Sequence, residues 1–209
     1  ISCYEKAILI NPNYAEAHNN LGVVFKELGE PQKAISCYEK AIEVQPNYAE
    51  AHNNLGVVFN KLEEPQKAMS CYEKAIEIDP NYAEAHNNLG LVFYELGEHQ
   101  KAMSCYEKAI GIQPDHAIAY SNLSMLLLLL SDFDKGFEYY EWRKKIFTHQ
   151  DYSEYLKLNL TSKVWNGEDL NNKTILILSE QGFGDIFEFA RYLFILKRKY
   201  ETKVIFRVK

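Results

Sequence analysis

The sequence predicts a mainly α fold, a solenoid of stacked helix pairs followed by the first βαβ unit of an α/β domain. Three observations predict it. The block NYAEAHNNLGVVFNKLEEPQKAMSCYEKAIEIDP, Asn47–Pro80, is identical at 28 positions to the 34 residues before it and at 27 to the 34 after it. A fixed period of this length marks a repeat array, in which no unit buries its apolar face alone. Beyond the repeats, TILILS (Thr174–Ser179) and KVIFRV (Lys203–Val208) are short, apolar and β-rich, on either side of a helical stretch.

The chain opens on ISCYEKAI, the second helix of a half repeat over 1–12. The first complete unit, 13–46, starts with Asn13 as an expected N-cap and Glu16 three residues on, the spacing of a capping box. Ala17, Leu21, Val24, Phe25 and Leu28 recur at helical spacing, and Gly29 suits a left-handed C′ position. Pro31 is tolerated in the first turn of the next helix, where its missing N–H has no intrahelical partner. Ala34, Tyr38, Ala41 and Ile42 form that helix's stripe, and Pro46 stops it. The units 47–80 and 81–114 repeat this plan.

With Ala15 taken as first position, Leu21, Gly22, Phe25, Ala34, Tyr38, Ala41 and Pro46 fall on the signature positions of the tetratricopeptide repeat. His18 stands where that pattern often has tryptophan. The chain resembles this family over residues 1–148. The resemblance implies a right-handed α-solenoid that binds extended protein or peptide on a concave face lined by the first helix of each pair.

Of the 209 residues, 47% are hydrophobic and 25% charged, an ordinary globular composition. The longest leucine run, Leu126–Leu130, is far too short to span a bilayer, so no membrane contact is expected. Cys3, Cys37, Cys71 and Cys105 follow the repeat period, fit no zinc spacing and read as packing residues of a reducing compartment. A cytoplasmic location is expected. The net charge of −6 divides into −10 over residues 1–140 (10 basic, 20 acidic) and +4 over 141–209 (13 basic, 9 acidic). An acidic solenoid argues against nucleic acid, whose binding needs Lys and Arg on phosphate.

Four asparagines in register, Asn20, Asn54, Asn88 and Asn122, precede the leucine of each first helix. Asparagine is a poor mid-helix residue, so the column needs a reason. An amide can donate to and accept from a peptide backbone, and it can equally bond a neighbouring helix. The column resembles the asparagine ladder of O-GlcNAc transferase repeat domains, and that resemblance implies peptide contact at these four positions. Glu16, Glu50 and Glu84 on the same helices exclude a carboxylate clamp for peptide C-termini. His18, His52 and His86 recur one per unit without a second ligand at i+4, so packing is expected there and no metal.

The unit 115–148 is degenerate: Ser124 replaces the glycine, Gly136 the first alanine and Arg143 the last small residue. Its leucine run makes the first helix apolar on every side, which predicts burial. Residues 149–172 read as a linker and 173 onward as the α/β domain. There, Asp185 is placed to cap a helix over Ile186–Tyr200, after Gly182 and Gly184 in GFGD. On spacing alone this is a turn and cap, without the third glycine of a dinucleotide fingerprint or a Walker lysine.

The wider string, YEWR at Tyr140–Arg143, WNG at Trp165–Gly167 and SEQGFGDIFEFARYL, resembles the junction in bacterial repeat–glycosyltransferase fusions. There a Rossmann-like half of a GT-B enzyme follows the repeats. By that resemblance Asp185 is a general base, Gly182 and Gly184 leave room for the reacting sugar, and a nucleotide sugar is the donor of a longer protein. The chain reads as a fragment whose Rossmann-like domain is truncated before its donor-binding half, so these residues are expected to hold no cofactor and show no turnover. The alternative is a scaffold with a structural, non-catalytic α/β end. The first helix, Ser2 to Ile10, offers a surface for end-to-end self-association.

Overall fold

A computed structural model describes residues 2–142, 145, 171–172, 174–178 and 203–207. The chain divides into two compact units, Ile1–Tyr152 and Ser153–Lys209. Among the described residues the first unit contains nine α-helices: α1 (Ser2–Ile10), α2 (Ala15–Glu27), α3 (Pro31–Val44), α4 (Ala49–Lys61), α5 (Pro65–Ile78), α6 (Ala83–Glu95), α7 (His99–Ile112), α8 (Ala117–Leu129) and α9 (Phe133–Tyr140). The pairs α2/α3, α4/α5, α6/α7 and α8/α9 pack internally, and each second helix packs on the first helix of the next pair. This is a tetratricopeptide-like solenoid.

Helix boundaries follow local chemistry. Gly29 and Gly97 take φ of +74° and +75° at the turn between paired helices, where Glu30 N–H returns to Phe25 O at 2.9 Å. The equivalent Glu63 and Ser131 adopt the same left-handed conformation without a glycine. Pro31 and Pro65 open α3 and α5 as expected. The expected capping box is not formed: Tyr14 holds the N-cap position without a side-chain cap, and Asn13 N–H instead meets Asn11 Oδ1 in the preceding turn. Tyr14 is itself exposed, and its backbone carbonyl accepts from Ala17 N–H and His18 N–H at the helix start.

Small residues set the helix spacing. Ala34, Ala41, Ala68, Ala75, Ala102 and Ala109 are fully buried, and Tyr38, Tyr72 and Tyr106 fill the space beside them. A Cβ on Gly22, Gly56 or Gly90 would stand 2.7–2.8 Å from the ring of the tyrosine it faces. The degenerate unit keeps this approach by exchanging sizes: Ser124 replaces the glycine and donates to Gly136 O at 2.8 Å, while Gly136 makes room for Leu128. Leu126 and Leu127 of α8 are buried, but Met125, Leu129 and Leu130 are exposed in this unit, so the helix is not buried on every side as expected.

In the second unit, β1 (Thr174–Leu178) and β2 (Lys203–Arg207) pair in parallel, Thr174 opposite Lys203 and Leu178 opposite Arg207. The helix expected between them, the GFGD turn, Gly182, Gly184 and Asp185 lie outside the described residues.

Candidate peptide-binding face

The first helices α2, α4, α6 and α8 carry a column of amides that links one unit to the next. Asn54 Nδ2 donates to Asn19 Oδ1, Asn88 Nδ2 to Asn53 Oδ1 and Asn122 Nδ2 to Asn87 Oδ1, each at 3.0 Å. The acceptors are buried, with Asn19 fully enclosed, and the donors are half-buried. A buried amide without a partner is costly, so the doublet reads as one acceptor and one donor per helix. Sequence reasoning assigned peptide contact to Asn20, Asn54, Asn88 and Asn122 and gave the adjoining Asn19, Asn53 and Asn87 no role of their own. The legible signal was the doublet itself: two adjacent asparagines recurring together need two roles.

The four expected positions are therefore not equivalent. Asn20 shows no hydrogen bond among the described residues, because no unit with an acceptor precedes it there. The oxygen of Asn88 accepts from Asn87 Nδ2 at 3.3 Å. Asn54 and Asn122 spend their amide nitrogens on the preceding helix and keep their oxygens for a second partner.

Around this column stand acidic and phenolic groups. Asn19 Nδ2 donates to Glu50 Oε1 at 3.1 Å, and Tyr48 OH approaches Glu50 Oε2 at 3.4 Å. Burial, then the carboxylates Glu50 and Glu16, pushes the Tyr48 phenol up to about 12. Burial, then Glu50 and Glu84, pushes Tyr82 to about 12 as well, against a hydrogen bond from Asn53. Proton loss is disfavoured because a phenolate would face both low dielectric and like charge. At the helix termini a different tie recurs: Lys33, Lys67 and Lys101 pair with Glu30, Glu64 and Glu98 and lie 5.1–5.2 Å from the ring centroids of Phe25, Phe59 and Phe93.

The recurrent histidines are structural. His18, His52 and His86 reach Pro12 O, Pro46 O and Pro80 O through Nε2 at 2.9–3.1 Å. They fasten each first helix to the proline that ends the previous unit. Tyr120 takes this position in α8 and stacks on Trp142 at 3.9 Å, with Tyr139 edge-on at 5.2 Å. No group of three metal-ligating side chains occurs among the described residues. The cysteines are free, and no described helix is long and apolar enough to cross a membrane.

Comparison with known proteins places this geometry. Models described as TPR repeat or tetratricopeptide repeat match residues 15–48, 37–69, 58–97 and 83–116. Among solved structures the chain is similar to MamA, at 29% identity over 75% of this chain and 87% of that one, with a TM-score of 0.59. It is similar to PilF of Pseudomonas aeruginosa at 24% identity over 75% and 72%, with a TM-score of 0.64. The first tetratricopeptide domain of Spaghetti (RPAP3), bound to the HSP90 peptide SRMEEVD, aligns at 21% identity over 56% and 93%, with a TM-score of 0.54. The last two likenesses are of fold alone. Curated proteins give no match.

Proposed function

We propose that this tetratricopeptide-repeat protein holds an extended polypeptide along its first-helix face, the concave face of the solenoid. The amide column carries this reading. It places polar groups at a fixed spacing beside buried aromatic and aliphatic residues, which suits main-chain recognition without a fixed partner sequence. The Spaghetti domain's peptide ends in a carboxylate. Here Glu16, Glu50 and Glu84 occupy the first-helix starts, so the partner of this chain is a neutral or basic segment. The test is fluorescence anisotropy with unstructured peptides. Asn20→Ala removes an amide with no hydrogen bond among the described residues and should weaken binding while leaving the unfolding midpoint unchanged. Unchanged binding by that variant would remove Asn20 from the surface, and no binding by any peptide would end the proposal.

For the second unit, the proposed role is the beginning of a GT-B glycosyltransferase-like domain, cytoplasmic like the repeats, with a nucleotide sugar as donor in a longer protein. Asp185 would be general base toward an acceptor hydroxyl, and Gly182 and Gly184 would leave space for the sugar. The parallel pairing of β1 and β2, 24 residues apart, is compatible with a crossover connection and supports this reading. The second reading, a scaffold with a structural α/β end, is favoured by Asp185 itself, since a carboxylate at the turn repels a cradled phosphate. Sugar transfer by a natural product containing both residues 1–209 and a donor-binding half decides between them. Asp185→Asn should abolish it, and transfer that survives the change would leave Asp185 without the proposed role.

A further inference from the structure

The seam between α6 and α8 differs chemically from the seam between α2 and α4. In the earlier one, Glu50 is held by Asn19 and Tyr48 together. In the later one, His116 stands in the place of the tyrosine and Ile118 in the place of the glutamate. His116 Nδ1 accepts from Ala119 N–H at 3.2 Å as the N-cap of α8, which puts the ring proton on Nε2. That Nε2–H is buried and has no hydrogen-bond partner among the described residues; the whole side chain is 7% exposed.

His116 lines an open cleft of about 370 Å³ with Glu84, Asp115, Ile118 and Lys145. The Lys145 ammonium lies 3.6 Å from the centroid of the Trp142 ring. Glu84 and Asp115 make no ion pair among the described residues, so the cleft walls carry two carboxylates against one ammonium already seated on an aromatic face. The cleft thus combines net negative charge with a buried donor that lacks its acceptor.

We infer that this cleft is a subsite for a lysine or arginine residue of the bound polypeptide. Glu84 and Asp115 receive the side-chain cation, and His116 Nε2–H donates to that residue's main-chain carbonyl. This rests on the polypeptide-binding reading above and adds to it a preferred residue and a place in the array. An anionic residue would meet two carboxylates, and an uncharged one would leave both unpaired.

The experiment uses three short fluorescein-labelled peptides in which glycine alternates with lysine, glutamine or glutamate, titrated with the full chain. Lysine should bind tightest and glutamate weakest. The double variant Glu84→Gln, Asp115→Asn should cost the lysine peptide about threefold to tenfold and the glutamine peptide little, the range of a partly exposed ion pair. His116→Asn keeps a capping oxygen for Ala119 N–H while removing the Nε2 donor, so it should weaken the lysine and glutamine peptides alike. Equal affinity for lysine and glutamine peptides, or a lysine preference that survives the double variant, would overturn the subsite and leave the general peptide-binding face standing. An asparagine variant that binds like the parent would remove His116 from it. Failure of all three peptides to bind would overturn both readings.

Discussion

A Cβ built on Gly56 stands 2.7 Å from Tyr72 Cε1, closer than real Cβ atoms come to a ring, so the tyrosine and the glycine define each other. Tyr72 is 2% exposed and has no room to retreat. Gly56→Ala should therefore destabilise the solenoid by about 1–3 kcal/mol, an overpacking cost, although alanine is the better helix former. A urea titration of the variant checks it, and a stability gain would show that the ring can shift.

Glu63 predicts the opposite sign. It holds φ of 59° where Gly29 and Gly97 serve the neighbouring units. A non-glycine residue in the left-handed region costs roughly 1 kcal/mol, partly offset by glycine's greater freedom when unfolded. Glu63→Gly should raise the unfolding free energy by a net few tenths to about 1 kcal/mol and the melting midpoint with it. Thermal melts of parent and variant, compared at one protein concentration, give the sign directly.

The amide column makes Asn53 a two-sided residue. Its oxygen accepts from Asn88 at 3.0 Å, and its side chain lies beside the Tyr82 phenol. Asn53→Ala leaves a half-buried donor unmet and should cost about 1–3 kcal/mol. Asn20→Ala, which breaks no hydrogen bond among the described residues, should cost much less. Equal losses for the two variants would mean that the column adds nothing beyond helix propensity.

The helices and their period were legible because Gly29, Pro31 and Pro46 act through backbone geometry that no tertiary contact overrides. Asn13 was misread as a cap because the helix starts one residue later, with Tyr14 at the N-cap position, while Asn13 N–H is taken by Asn11 in the preceding turn. The asparagine column was legible as a column, but its split into donors and acceptors depends on which helix flank faces the preceding unit. His18, His52 and His86 were expected to pack, but their proline partners lie six residues back and need the folded turn to be seen. The same holds for Ser124 and Gly136: each looked like decay, yet the two substitutions compensate in size and hydrogen bonding.

Alkaline pH should destabilise the fold in a defined window. The Tyr48 and Tyr82 phenols are raised from 10.0 to about 12, by burial first and by neighbouring carboxylates second. Below the unfolded value of 10 both states keep the proton and the stabilisation is full. Above it the unfolded chain releases protons that the folded chain retains, so stability falls as pH climbs through about 12. Urea midpoints measured across this range should decline, and Tyr82→Phe should shallow the decline. A flat profile would contradict the burial of these rings.

Thiol reactivity offers a map of the same packing. Cys71 is raised to about 11 and Cys37 and Cys105 are raised as well, all through burial, while Cys3 is exposed. The thiolate is the nucleophile, so iodoacetamide near neutral pH should alkylate Cys3 first and Cys71 at least about tenfold more slowly. Mass spectrometry of timed digests reads the order, and uniform labelling would indicate that the units open readily.

The amide hydrogen bonds that cross from one unit to another all point one way, from the later unit to the earlier. An interior 34-residue copy added at the boundary between Pro46 and Asn47 would find an acceptor behind it in Asn19 and a waiting donor ahead in Asn54. The same copy spliced after α9 would meet Ser121 where its asparagine requires an amide oxygen, and Gly136 where the alanine belongs. Lengthening by internal duplication is thus nearly free for this array, whereas extension past the degenerate pair is not. Gene duplications that change the number of units should accordingly fall among the three near-identical copies, leaving the final pair single.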